Sequence, residues 1–401
     1  MHFLVVVMLA LMLAACSSSV KTYSEATPLG KIETKLSVKT LWLKELGYRS
    51  RHHHAQLPPV LLDGALYYAN INGEVGVLDA KKGTRLWKIS TGETLTAGPG
   101  VGENIVIVST RKAEIIALDR LNGAELWRSR VSSEILASPR VGDEQIIIQT
   151  IEGKVLALEA DSGKQVWSYN RPIPALTIRG TSSPLVQADR VLAGFADGKL
   201  VSLDRKTGKL QWQTAIAVPK GRTDLDRLVD IDGLFAVDDA TVYVNSFQGN
   251  IAALSTNNGT TLWSREISSY VGLMFAENKI FISDTEGYVW ALDKRTGGTL
   301  WRQDKLKGRE PSLPVIVGNV VAVGDFDGYI HWLSTEDGGI VARRSLELLR
   351  RKAAIYLPDE PGKKPRWRSI SVPPATAGNR LYVRDNQGAL AVFQVNGLTA
   401  K

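Results

Sequence analysis

One signature recurs seven times along this chain at a fixed internal spacing. Each copy opens with Gly, or once with Ala, and continues with Leu five, Gly ten and, in six copies, Trp fourteen positions later. The opening residues are Gly73, Ala113, Gly153, Gly198, Gly249, Gly287 and Gly328. Repeats with a period of about 40 residues are typical of units that bury their apolar faces by stacking, and four-stranded propeller blades have this period. The repeat therefore predicts an all-β, eight-bladed β-propeller of antiparallel blades, with the count argued below.

The residues within one copy alternate as a strand does and then turn sharply. Residues 198–204 place apolar side chains on one face and polar side chains on the other. The Gly at the tenth position, such as Gly208, suits a turn that needs a positive φ. Another β-rich run precedes each opening residue, as in 65–69 and 105–109. Each unit therefore contains four strands joined by short connections.

The tryptophans at the fourteenth position fall on the outermost strand of each unit. They are Trp87, Trp127, Trp167, Trp212, Trp263 and Trp301, and Ala342 takes the seventh place. A large ring at this position can fill the wedge between neighbouring blades, and we expect this packing function; stacking on a ligand is the alternative.

An eighth blade is predicted from the two ends of the chain. A partial signature begins at Gly388, and its Trp position would lie beyond the last residue. Near the other end, residues 38–45 form a strand-like run that carries Trp42. We expect this N-terminal strand to complete the last blade, so that residues 37–401 form a closed ring without open sheet edges.

The N-terminus predicts export and lipidation. Residues 3–13 are an apolar run that is too short to span a bilayer and typical of a signal-peptide core. Leu13-Ala14-Ala15-Cys16 matches the bacterial lipobox, although no Lys or Arg precedes the apolar run. We therefore predict a signal peptide over 1–15, lipidation of Cys16 and a polar tether over 16–36. The alternative for Cys16, the only cysteine, is a buried thiol.

The predicted address is the periplasmic face of the outer membrane. Ser17 follows the cysteine, and a residue other than Asp at this position favours the outer membrane in enteric-type sorting. The net charge of +8 suits anionic headgroups or an acidic partner. Nucleic acid is not an expected partner for a periplasmic protein, so no nucleic-acid binding is predicted.

Three junctions between blades are longer than the others: 168–183, 213–232 and 343–372. Each joins an outermost strand to the innermost strand of the next blade, so all three open on one face. Long loops on a rigid scaffold often carry recognition. The first two are neighbours around the ring, and we expect them to form one patch.

The first two long loops contain candidate contact residues. Leu176 and Ile178 lie two apart beside Arg179, a composition typical of interface hot spots. Asp230 and Asp232 have the same spacing in the second loop. Other interpretations are that the apolar pair begins an inner strand, and that the two Asp cap a turn or pair with Arg179.

The third long loop is strongly basic. Its cations are Arg343, Arg344, Arg350, Arg351, Lys352, Lys363, Lys364, Arg366 and Arg368, against Glu347, Asp359 and Glu360. We expect a solvated loop, with contact to phosphate-bearing lipid or an acidic partner as the alternative.

The sequence offers no active site and no metal or cofactor site. His52, His53 and His54 are consecutive, so they point in different directions on an extended chain, and a surface loop is expected. His331 lies within a strand, and no Ser/His/Asp set or nucleophilic Cys accompanies it. Residues 284–287 and 325–328 resemble fragments of calcium loops, but they fall where blade turns are expected. We predict a protein that is not an enzyme.

Two resemblances bear on function. The fullest copies of the signature resemble the repeat of pyrroloquinoline-quinone (PQQ) dehydrogenases, which as a family carry a vicinal cysteine pair that this chain lacks. The repeat, lipobox, length and blade count together are similar to the BamB family, lipoproteins of the outer-membrane β-barrel assembly (BAM) machinery. That resemblance implies that Leu176, Ile178, Arg179, Asp230 and Asp232 contact the periplasmic POTRA domains of BamA, with Ile178 standing where the family often has Leu.

Two hypotheses from different classes follow. The first is a non-enzymatic scaffold that binds BamA and assists folding and insertion of β-barrel proteins, with unfolded outer-membrane proteins as further partners. The second is a PQQ-dependent dehydrogenase-like propeller, or a degenerate relative that still binds the cofactor. A glycan-binding propeller is a third idea that the sequence neither supports nor excludes.

Overall fold

The computed structural model describes residues 25–47, 57–142, 144–177, 182–352 and 369–396. These residues form eight antiparallel four-stranded sheets. The sheets pack side by side through apolar clusters that join neighbouring blades, and one such cluster joins Tyr382 of the last blade to Leu66 and Leu78 of the first. The predicted eight-bladed β-propeller is therefore confirmed.

The strands of each blade follow one another from the axis outward. The innermost strands are Val60–Leu62, Leu95–Val101, Arg140–Val141, Leu185–Val186, Ala236–Asp238, Leu273–Ala276, Val315–Val317 and Ala375–Ala377. The second strands are Ala65–Ala69, Ile105–Thr110, Gln145–Gln149, Arg190–Gly194, Thr241–Asn245, Lys279–Ser283, Val320–Gly324 and Arg380–Arg384. The third strands are Glu74–Asp79, Glu114–Asp119, Lys154–Glu159, Lys199–Asp204, Asn250–Ser255, Val289–Asp293, Tyr329–Ser334 and Ala389–Asn396. The outermost strands are Arg85–Ser90, Glu125–Arg130, Gln165–Asn170, Leu210–Ala215, Thr261–Glu266, Thr299–Gln303, Ile340–Ser345 and, from the N-terminal end, Ser37–Glu45.

The two ends of the chain meet in the eighth blade, as predicted. The N-terminal strand Ser37–Glu45 pairs with the C-terminal strand Ala389–Asn396. Its register runs from Ser37 opposite Asn396 to Glu45 opposite Ala389, with one bulge between Thr40 and Trp42. A strand from one terminus therefore supplies the outer edge of a blade whose other three strands come from the other terminus.

The repeated tryptophans fill the wedges between blades, as predicted. Trp212 donates its indole Nε1–H to the carbonyl of Thr256 in the next blade at 2.8 Å. The other five donate likewise to the carbonyls of Arg120, Ala160, Arg205, Lys294 and Thr335. A Cβ placed on Gly259 would lie only 2.5 Å from the Trp212 ring. Gly259 is thus needed for its positive φ of 72° and also for this close approach.

The seventh blade reverses the usual cross-strand pair. In the other repeats the outer-strand Trp lies opposite a small or medium-sized residue, as Trp301 lies opposite Ala291. In the seventh blade Ala342 of the outer strand lies opposite Trp332 of the third strand. Trp332 is fully buried and packs edge-on against Phe393 of the eighth blade, with ring centroids 5.6 Å apart. The missing Trp is therefore replaced from the neighbouring strand.

Residues 25–36, which we name the N-terminal strap, lie against blades six and seven. The Thr27 N–H donates to the Lys307 carbonyl at 3.0 Å, and the Lys35 N–H donates to the Val341 carbonyl at 2.9 Å. Arg343 donates to the Gly30 carbonyl at 3.0 Å. The strap was predicted as part of the tether, and the structure shows this half of that segment in contact with the ring.

Part of the basic third loop is buried, in contrast to the expectation of a solvated loop. A short helix, Leu346–Lys352, follows the outer strand of the seventh blade. Arg350 on this helix is 3 % exposed and donates to both carboxylate oxygens of Glu45, at 2.6 and 3.1 Å. It also forms an ion pair with buried Asp385, at 2.9 Å. Arg350 therefore holds the helix against both halves of the eighth blade.

Several predictions fall on residues outside the described ranges. They are the signal peptide, Cys16, residues 17–24 of the tether and the three histidines 52–54. Within the ranges that the structure covers, no helix is both long and apolar enough to cross a membrane.

Candidate docking face

The candidate site is built from two neighbouring long loops, residues 171–184 and 216–235, on one face of the ring. Each follows the outermost strand of one blade and leads to the innermost strand of the next. The two loops meet over Gly194, where a Cβ would lie 3.0 Å from Ser182 Oγ of the first loop and would overlap Ile231 of the second. The expected single patch is therefore present, and Gly194 permits the close approach.

The second loop is anchored by alternate apolar residues. Val229, Ile231 and Phe235 are buried, and the latter two join the core between the fourth and fifth blades. The Phe247 N–H donates to the Asp230 carbonyl at 2.7 Å. The buried side chains and the hydrogen bond from Phe247 hold the C-terminal part of the loop against the ring.

The outer part of the second loop is a turn that closes on itself. The Asp226 N–H donates to Thr223 Oγ1 at 3.1 Å, and the Thr223 N–H donates to Asp226 Oδ2 at 3.2 Å. This reciprocal pair satisfies two backbone amides, as a capping box does at a helix start. The turn leaves Leu225 exposed, and Val218 is exposed before it.

Four large apolar side chains are exposed on the two loops. They are Ile173, Leu176, Val218 and Leu225, between 42 % and 69 % exposed. Of the predicted contact residues, Leu176 belongs to this group, whereas Ile178 and Arg179 lie outside the described residues. Ile173, Val218 and Leu225 were not predicted from the sequence, in which each is an isolated apolar residue within a polar loop. Contiguous exposed apolar surface marks interaction sites, and these four side chains lie on two neighbouring loops of one face.

Asp230 and Asp232 share a side of the second loop, as expected from their spacing, and their carboxyl groups lie close enough to interact electrostatically. Asp230 is only 2 % exposed. Burial raises the pKa of both carboxyls, and the neighbouring charge of Asp232 raises that of Asp230 further. Among described residues, Asp230 Oδ2 and Asp232 Oδ1 have no hydrogen-bond partner. The pair therefore favours a state that retains a proton.

Replacing Asp230 with Asn should flatten the dependence of stability on pH. The native-state pKa of Asp230 is raised, so above about pH 4 the unfolded chain releases this proton before the folded chain does. The stability that the protonated carboxyl contributes is present below that pH and is lost as the pH rises through the native-state pKa. The free energy of unfolding of the unmodified chain should fall between about pH 5 and pH 8. The change over this range should be smaller for D230N, by at least about 1 kcal/mol.

Urea unfolding at several pH values measures this difference. Asp224→Asn is the matched control, because Asp224 lies exposed in the same loop. If both variants follow the pH dependence of the unmodified chain, the buried carboxyl pair does not retain its proton.

Asp232 also lines a small cavity at the axis of the ring. The cavity has a volume of about 50 Å³, and its lining includes Pro58, Ser183, Leu234 and Tyr270. Sites for drug-sized ligands are several-fold larger, at about 300 Å³ or more. The docking face thus reaches the mouth of the channel, and this cavity holds no more than a few water molecules.

His331 belongs to a buried polar cluster and not to a catalytic set. Its Nε2 is bonded to Asp325 Oδ2 at 3.0 Å, and its Nδ1 accepts from Arg343 Nε at 3.1 Å. Arg309 donates to the same Asp325 oxygen at 2.8 Å. Both ring nitrogens are occupied, so neither is available as a general base. In the described part of the chain, no group of three His, Cys, Asp or Glu residues could hold a metal ion.

Comparisons with known proteins agree with the fold and the repeat. The family model described as outer membrane protein assembly factor BamB matches residues 71–303. The BamB of Pseudomonas aeruginosa is 40 % identical over 387 residues, covering 96 % of this chain and 97 % of that protein. The crystal structure of BamB from Moraxella catarrhalis superimposes with a TM-score of 0.77 at 28 % identity, covering 89 % of this chain and all of that one.

The similarity to quinone-dependent enzymes is limited to the fold. Quinohemoprotein alcohol dehydrogenase from Comamonas testosteroni superimposes with a TM-score of 0.68 at 14 % identity, over 91 % of this chain and 77 % of that enzyme. Identity at this level shows a shared propeller architecture only. With the family match over more than half of the sequence and a relative at 40 % identity over nearly all of it, the chain belongs to the BamB family of outer-membrane protein assembly factors.

Proposed function

We propose that this chain is a non-enzymatic scaffold lipoprotein of the BAM complex, which docks on the POTRA domains of BamA through the two-loop face. The observation that carries the proposal is the group of exposed apolar residues on two neighbouring loops, the second of which is anchored in the core between two blades. Family membership names the complex, and the relatives are named assembly factors.

The proposed contacts combine apolar anchors with a cation. Leu176 is exposed beside the predicted contacts Ile178 and Arg179, and Leu225 and Val218 extend the apolar surface across the second loop. Arginine is among the residues that commonly dominate binding energy at the centre of an interface. Asp232 stands at the border of this patch and the channel mouth.

Asp230 has a different place in the proposal. Its side chain is buried, so it offers almost no surface to a partner. We infer that it is a positioning residue that supports the shape of the second loop from beneath the surface. Its backbone carbonyl, bonded to the Phe247 N–H, ties the loop to the fifth blade.

The remaining parts of the proposal concern location and clients. Cys16 carries the lipid that anchors the chain to the periplasmic face of the outer membrane. The ring then holds BamA's periplasmic domains and assists folding and insertion of β-barrel proteins, which bind as unfolded clients. A PQQ-dependent activity is the alternative.

Replacing Arg179 with Ala should weaken binding to the isolated POTRA domains of BamA by about 2 kcal/mol, or roughly thirtyfold in Kd. Leu225→Ser should also weaken binding, because it removes exposed apolar area from the second loop of the same face. Titration calorimetry with the purified domains measures both effects.

Leu300→Ser is the matched control, because Leu300 is an equally apolar exposed residue on the outer strand of blade six. Its Kd should stay unchanged. Unaltered affinity of both the Arg179 and Leu225 variants would remove the two-loop face from the proposal. A shift in thermal stability on addition of PQQ with calcium would instead favour the cofactor-binding alternative.

A further inference from the structure

The N-terminal strap determines where the chain leaves the ring toward Cys16. Thr27 is held from both sides: its N–H donates to the Lys307 carbonyl at 3.0 Å, and its carbonyl accepts from Arg309 at 3.3 Å. Arg309 is itself buried and paired with Asp325 and Asp327 at 2.8 Å. The exit point therefore lies at the junction between the outer strand of blade six and the inner strand of blade seven.

A fixed exit point shortens the reach between the ring and a lipid on Cys16. Eleven residues separate Cys16 from Thr27, which span at most about 40 Å when fully extended. If the chain were free up to Ser37, the same limit would be about 75 Å. Given the lipidation proposed above, the junction of blades six and seven is the part of the ring that must stay within this distance of the bilayer.

Blade six carries, beside this junction, a surface that differs from those of blades one to five. Tyr288 and Trp290 follow the opening Gly of blade six by one and three positions, where blades one to five have no aromatic residue. The Arg302 guanidinium lies over both rings, 4.6 Å from the Tyr288 centroid and 5.2 Å from the Trp290 centroid. Lys307, whose backbone carbonyl accepts from the Thr27 N–H, places its Nζ over the Tyr288 ring, 5.5 Å from the centroid. We name these four residues the blade-six patch.

The composition of the blade-six patch matches a membrane interface. Trp and Tyr are enriched at the level of lipid headgroups, and Arg and Lys beside them attract anionic lipids. Exposed Lys305 adds a third cation. The acidic neighbours are Glu286, Asp304 and Asp284, which accepts from the Trp290 indole at 2.8 Å. Arg302 is exposed and Lys307 half-buried, so both cations are accessible from outside the ring.

We propose that the blade-six patch binds the anionic phospholipid surface of the membrane in which the lipid is anchored. The strap brings the anchor to the patch, and the patch then sets the orientation of the ring on the bilayer. The blade-six patch shares no residue with the two-loop face, which lies on blades three to five.

The test uses the chain from residue 16 with Cys16→Ser, so that no lipid contributes to binding. Vesicles of phosphatidylethanolamine and phosphatidylglycerol are compared with vesicles of phosphatidylcholine alone by co-sedimentation. We expect binding to the anionic vesicles only, and Arg302→Glu with Lys307→Glu should lower the partition coefficient at least about tenfold. Arg111→Glu with Lys164→Glu makes the same charge change on exposed residues of blades two and three. This control should retain most of the binding.

Two results would overturn the proposal: equal partition into both kinds of vesicle, or equal loss in the patch and control variants. Circular dichroism and thermal unfolding of each variant separate a lost surface from a lost fold. The outcome does not depend on acylation, because the assay protein has no cysteine. A failure here therefore leaves the proposed lipid anchor and the BamA contact untouched.

Discussion

Replacing Arg350 with Ala should lower the free energy of unfolding by about 3–5 kcal/mol and loosen the ring where its two ends meet. The guanidinium is 3 % exposed and joins three segments: the helix Leu346–Lys352, the N-terminal strand through Glu45 and the C-terminal turn through Asp385. Its removal leaves Asp385 buried without its cation. Urea unfolding and deuterium exchange of the strand Ser37–Glu45 measure the effect.

The size of the effect comes from the carboxylate that stays behind. Burial already raises the pKa of Asp385 to about 7, and Arg350 is the principal group that opposes this rise. Without Arg350, the carboxyl must accept a proton or admit water, and both weaken the junction. Asp385→Asn added to Arg350→Met should therefore recover part of the lost stability, because the unpaired charge is then absent.

Arg130→Ala is the control for Arg350. Arg130 is exposed, its nearest carboxylate contact is 3.9 Å long, and its loss should cost no more than about 0.5 kcal/mol. Equal costs for Arg350→Ala and Arg130→Ala would show that the buried arginine does not lock the ring.

Replacing Trp212 with Ala should cost about 3–5 kcal/mol, the range for large aromatic residues removed from a core. The indole is buried between the fourth and fifth blades, against Gly259, and donates to the Thr256 carbonyl at 2.8 Å. Gly259 has no side chain that could fill the space left by the indole. Thermal or urea unfolding measures the loss.

Two further variants separate packing from hydrogen bonding at the same wedge. Trp212→Phe keeps most of the ring volume but leaves the Thr256 carbonyl without its donor, and we expect a cost of about 1–3 kcal/mol. Leu210→Ala, on the same strand but 45 % exposed, should change stability by less than about 1 kcal/mol. A Trp212→Ala variant as stable as Leu210→Ala would contradict the wedge function.

Much of the architecture could be predicted from the sequence because each blade is nearly complete within one repeat. The alternation of residues, the Gly of the turn and the wedge Trp all lie within about 15 residues of one another. The closure could be predicted because Trp42 and the segment from Gly388 were each half of a missing copy. Trp332 could not be assigned in the same way, because its substitution for the missing Trp depends on cross-strand register.

The candidate docking face was predicted less completely. Spacing placed Asp230 and Asp232 on the same side, but it gave no indication that Asp230 would be buried beneath the loop. Asp230 is buried because Ile231 and Phe235 of the same loop pack into the core between the fourth and fifth blades. Ile173, Val218 and Leu225 were missed because an isolated apolar residue in a long loop is ambiguous until its exposure is known.

The sequence by itself determined the repeated unit, the number of blades and the joining of the two termini, because these depend on patterns that are local or periodic. Only the tertiary structure decided that Arg350 meets Glu45, 305 positions away, that the strap crosses blade seven, and that Lys307 lies beside both Thr27 and Tyr288. Such contacts join segments from different blades, and no repeat pattern encodes them. Their physical basis is the burial and pairing of charges where distant parts of the ring come together.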